Sequence, residues 1–150
     1  MTTMIHDAES LLIAEEGRET EAYIDSLGFW TNGIGHKYTD GQPHPGEIWG
    51  GAKVDAVFAV DFAHARDGIA AHWPAIRSLD PVRQAYVVSM AFQMGVGGVL
   101  GFPHTLGCLA AGDWHGAHDG VLASKWHSQT KGRAERCAAA FLSGQWQQVP

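Results

Sequence analysis

Two carboxylates nine residues apart, Glu16 and Asp25, open the stretch EGRETEAYIDSLGFWTNGIGH, and a hydroxyl, Thr31, follows them. Two carboxyl groups flanking a cleft are the minimal equipment for cleaving a glycosidic bond: one protonates the leaving oxygen and the other acts from the opposite face of the sugar ring. Taken singly, each residue has a plainer reading. Glu16 is a solvated helix-end carboxylate like its neighbour Glu15, Asp25 a turn residue bonding its own backbone, and Thr31 an ordinary strand residue. Their conjunction argues for the acid, the base and the water-holder of a glycosidase.

The flanking elements must bring these groups together. Ile5, Ala8, Leu11, Leu12 and Ala14 carry helical spacing over residues 4–16, and Gly17 suits the position past a helix end. Glu16 then faces the negative end of the helix dipole, a field that favours the protonated, proton-donating carboxyl. Ala22-Tyr23-Ile24 is β-prone, residues 25–28 form a turn, and Phe29 to Asn32 resume a strand. Such a hairpin brings Asp25 and Thr31 round to face Glu16. If a water must fit between them, the carboxylates lie about 6.5–9.5 Å apart and the product is inverted; about 5 Å means retention with Asp25 as nucleophile.

The pattern E-G, Y-x-D, T-x-G-x-G-H closely resembles that of the phage-type lysozymes, the family of T-even phage endolysins (glycoside hydrolase family 24). Residues 89–95 (SMAFQMG) with Gly101-Phe102, and Ser124-Lys125-Trp126 through Gln129-Thr130 to Arg133-Ala134, resemble the same family, so the likeness spans roughly residues 8 to 146. It implies an α+β, mostly helical, two-lobed fold with a small N-terminal lobe bearing a β-hairpin, a long bridging helix and a helical C-terminal lobe. The chain is expected to form one catalytic domain over 1–150, its lobes at about 12–60 and at 1–11 plus 72–150, without a separate cell-wall-binding domain. The implied activity is an endo-muramidase cutting between N-acetylmuramic acid and N-acetylglucosamine in peptidoglycan. Glu16 is the implied acid, with Asp25 and Thr31 activating the water. Gly35, Lys37, Phe92, Phe102, Thr105 and Trp126 are the implied substrate contacts. No cofactor is called for, and a holin is the family's delivery partner.

The remaining chain supports that frame. Its 150 residues suffice for one core without staples. A helical pattern runs from Gly51 to His72, about 30 Å long, with Val54, Val57, Phe58, Asp61, Phe62, Ala65 and Ile69 on one face; Pro74 ends it. Asp61 on that apolar stripe needs a partner, and His36 is the one expected, as the resemblance also implies. Residues 37–50 read as loop. Asp80-Pro81 begins an apolar helix to about Met94, broken by Gly95, Gly97 and Gly98. Further helices are expected from Pro103 to Ala111, Trp114 to Ala123 and Arg133 to Leu142. Cys108 and Cys137 read as two small buried hydrophobes.

Net charge is −6 with histidine neutral, which argues against a nucleic-acid partner and deprives a wall enzyme of electrostatic steering. The opening MTTMIHDAES lacks the basic and apolar regions of a signal peptide, and no run reaches the ~18 apolar residues of a membrane span. The expected picture is a monomer made in a bacterial host's cytoplasm, without membrane insertion, acting on peptidoglycan in the periplasm or wall. His115-x-x-His118 offers two metal ligands without a third. There is no G-x-S-x-G elbow, no activated thiol setting and no dinucleotide fingerprint beyond Gly33-x-Gly35. Two rival functions stay open: a non-catalytic peptidoglycan-binding or structural protein on this scaffold, and a lytic transglycosylase, which needs no hydrolytic water.

Overall fold

A computed structural model describes residues 4–150. Helix α1 (Ala8–Glu16) starts later than its apolar spacing suggests, because Asp7 and Ser10 form a reciprocal cap: Asp7 accepts from the Ser10 N–H at 2.8 Å, and the Ser10 hydroxyl accepts from the Asp7 N–H. Gly17 ends the helix at φ 73°, its N–H donating to Ile13. Three short antiparallel strands follow, β1 (Tyr23–Ile24), β2 (Trp30–Asn32) and β3 (His36–Lys37), in that spatial order. The register pairs Tyr23 with Thr31 and Thr31 with Lys37, so these three share one face of the sheet. The segment expected to be loop is tied down at Ile48, which bridges to Glu21. His44 organises it, with Nε2 2.9 Å from Asp40, Nδ1 3.3 Å from Glu47 and its ring stacked on Tyr38.

Helix α2 (Gly51–His72) buries Val54, Phe58, Phe62, Ala65 and Ile69, the stripe read from the sequence; Val57 is half-buried. It packs against β3 and against α3, and so joins the sheet to the helical part of the molecule. A 3₁₀ turn (Pro74–Ser78) leads to α3 (Pro81–Leu100), whose first turn is capped by Asp80. This helix is the centre of the core, with every residue from Ala85 to Ala91 buried. The expected break after Met94 occurs, and a second helical segment then runs on to Leu100. Gly95 alone leaves helical geometry (φ 80°), while Gly97 and Gly98 continue the helix to Leu100.

Helices α4 (Pro103–Ala111), α5 (Trp114–Leu122), α6 (Lys125–Gln129) and α7 (Lys131–Ser143) complete a mostly helical α+β fold. The sequence reading did not separate α6; its five residues are too few to show a period, and the Ser124 cap is its only local mark. Arg83 ties α3 to the end of α7 by donating to the carbonyls of Phe141 and Leu142. Both cysteines are free; Cys137 is buried as expected, but Cys108 is only half-buried. Burial raises both thiols above their ordinary range. Among the described residues no single helix is long and apolar enough to cross a membrane.

Candidate active site

Glu16 closes α1, and its carboxylate rests against the backbone at Gly35. A Cβ built on Gly35 would lie 2.6 Å from the Glu16 Cδ, and the residue's φ is 64°. Only glycine meets both demands. Gly35 therefore serves to seat the carboxylate as well as to line the groove. The Glu16 carboxylate does not face the helix end alone. Arg133 of α7 donates to it from Nη1 at 2.8 Å and reaches the carbonyl and hydroxyl of Ser89 with Nη2. The Arg133 Nε is buried without an acceptor. The Glu15 side chain, expected to be solvated, is instead buried at 2% exposure and bonded bidentately by Arg136. The reason is the position of α7, whose Arg133 and Arg136 stand three apart and meet the two consecutive glutamates.

Asp25 sits at the corner between β1 and β2. Its Oδ1 accepts from the backbone N–H groups of Leu27 (2.9 Å) and Phe29 (2.8 Å), a turn that fixes the side chain. Its Oδ2 lies 3.9 Å from the Lys37 ammonium, which also hangs over the Phe29 ring. Thr31 is buried, and its hydroxyl donates to the Phe29 carbonyl at 2.9 Å, leaving that oxygen's lone pairs as its free capacity. Tyr23 shares this face; burial, then the carboxylates of Glu16, Glu19 and Asp25, push its phenol up and keep it neutral.

Glu16 and Asp25 line one open groove of about 230 Å³, together with Gly35, Lys37, Phe92, Gln93, Thr130, Arg133 and Arg136; Thr31 is not among its lining residues. Gly35, Lys37 and Phe92 continue into a neighbouring cavity of about 310 Å³ beside His36, Asp61 and His64. There His36 Nδ1 is 2.7 Å from Asp61 Oδ2. Phe102, Thr105 and Trp126 lie apart, in a cavity of about 590 Å³ between α3, α4 and α6. They do not touch the groove directly. Their connection to it is the Trp126 indole N–H, which donates to Gln93 Oε1 at 3.0 Å.

The phage lysozyme profile matches residues 14–139. The chain belongs to the phage lysozyme family. Within it, this lysozyme-family chain is 33% identical, over 89% of its length, to the pre-baseplate central spike protein Gp5 of Enterobacteria phage T4, but it spans only 27% of that relative. It is 27% and 26% identical to two probable T4-type lysozymes of Dictyostelium discoideum, covering 94% of this chain and 96% of each of theirs.

Gln93 lines the groove, as the family resemblance implies, but Glu15, Thr130, Arg133 and Arg136 had no role in the sequence reading. An available signal was the i, i+3 spacing of two arginines on α7, which puts both on one helix face. Nothing local connects them to glutamates 117 and 121 residues away. Among the described residues no three metal-ligating side chains converge, and His118 turns to Asp119 instead.

Proposed function

We propose that this member of the phage lysozyme family is a muramidase hydrolysing the β-1,4 bond between N-acetylmuramic acid and N-acetylglucosamine in peptidoglycan. The observation that carries the reading is the facing of Glu16 and Asp25 onto one open groove. In this mechanism Glu16 protonates the bridging oxygen. Asp25, anchored through Oδ1, keeps Oδ2 for a water on the opposite face of the ring, and the Thr31 hydroxyl helps to orient that water. Phe92 supplies an apolar surface for the sugar, while Phe102, Thr105 and Trp126 receive a peptide stem in their own cavity. The enzyme acts as a monomer on wall reached from the host cytoplasm with a holin's help.

Glu16→Gln should lower the clearing of purified sacculi by about a hundredfold or more while leaving the melting temperature close to wild type. Near-normal clearing would refute the acid assignment. Products ending in reducing sugars support hydrolysis, whereas anhydro ends would make the protein a lytic transglycosylase. The likeness to a phage spike protein favours one second reading, a non-catalytic module of a larger assembly. Binding of sacculi without any clearing would select it.

A further inference from the structure

Three cations line the groove of the two carboxylates: Lys37, Arg133 and Arg136. Arg133 is held by Glu16 and Ser89, and Arg136 is held bidentately by Glu15. Lys37 differs. Its nearest anionic partner is Asp25 Oδ2 at 3.9 Å, longer than a hydrogen bond, and its side chain is 36% exposed. So open a pair binds its ammonium weakly, and exchanging it for another carboxylate costs little.

The proposed reaction makes that looseness meaningful. Asp25 gains a proton from water as the sugar ring gains positive charge. An ammonium about 4 Å from the base favours the starting state and opposes both changes. Left beside Asp25, Lys37 is a hindrance to turnover; moved onto an anion of the substrate, it becomes binding energy and leaves Oδ2 to the water. The lysine is placed for that exchange, since it lines both the groove and the neighbouring cavity beside His36 and His64.

We propose that Lys37 is a specificity-determining residue that pairs with Asp25 in the empty groove and passes to a carboxylate of the wall polymer when a strand binds. The anion is one that peptidoglycan carries on its muramyl residues, in the lactyl group or the peptide stem attached there. This rests on the muramidase reading given above.

The test compares wild type, Lys37→Met and Lys37→Arg on native sacculi and on the same sacculi with carboxylates converted to methylamides. Wild type should lose about tenfold in kcat/KM on the amidated polymer, and so should Lys37→Arg. Lys37→Met should treat the two polymers alike, with a raised KM on the native one. If wild type does not discriminate, or Lys37→Met loses as much as wild type does, the inference is overturned. If wild type clears neither polymer, the muramidase reading itself has failed, which is a separate result.

Discussion

Gly35 carries the tightest steric demand in the groove. It needs a left-handed backbone, and any Cβ there would displace the Glu16 carboxylate. Gly35→Ala should cost about 1–2 kcal/mol from backbone conformation, and clearing of sacculi should fall far more than a urea melt reports. Full activity in a destabilised variant would mean that Glu16 can act from another seat. At this scale the sequence was informative wherever one residue type does two things at once. The glycine of the G-x-G-H turn, the turn-forming Asp25 and the Asp61 carboxylate on an apolar stripe all announced themselves. Glu15 did not, because a terminal glutamate and a buried one read alike until the partner arrives.

The junction of α1 and α7 holds Glu16 in place, and it does so through charge. Glu15 is buried with Arg136 as its partner. Arg136→Leu strands that carboxylate and should destabilise the fold by about 3 kcal/mol or more. Replacing both residues with leucine should recover most of the loss in a double-mutant cycle followed by thermal unfolding. A double variant as unstable as the single one would show that the pair itself, rather than the stranded charge, carries the energy. The segment from Tyr38 to Trp49 has its own charged clasp. Asp40 first, and Glu47 after it, raise the His44 imidazolium above its ordinary range. Its contribution is therefore full below about pH 6.5 and disappears as pH rises through the higher value in the folded state. Hydrogen exchange of residues 39–48 should quicken across that window in wild type and show no such step in His44→Gln. Glycine and proline marked this segment as loop; the clasp was invisible because it depends on which side chains the loop turns inward.

For the whole molecule, a net charge of −6 would oppose the approach of the proposed substrate, peptidoglycan, which is itself anionic. Activity on intact sacculi should rise as ionic strength increases from about 10 to 100 mM, since screening relieves the repulsion. A steady fall over that range would point to local positive charge dominating the encounter. The overall architecture was legible because α2 shows its buried face in its period and α3 shows its central place in a nearly continuous apolar run. The groove wall contributed by α7 was not, since pairing over such separations leaves no short-range trace.

That distant wall has a consequence for how the protein comes into being. Arg133 is synthesised 117 residues after Glu16, with Thr130 and Arg136 beside it on the same wall. A nascent chain that has made α1 and the hairpin still lacks this side of the groove until α7 docks. Any copy that stops short of α7 is therefore left with an open-sided groove.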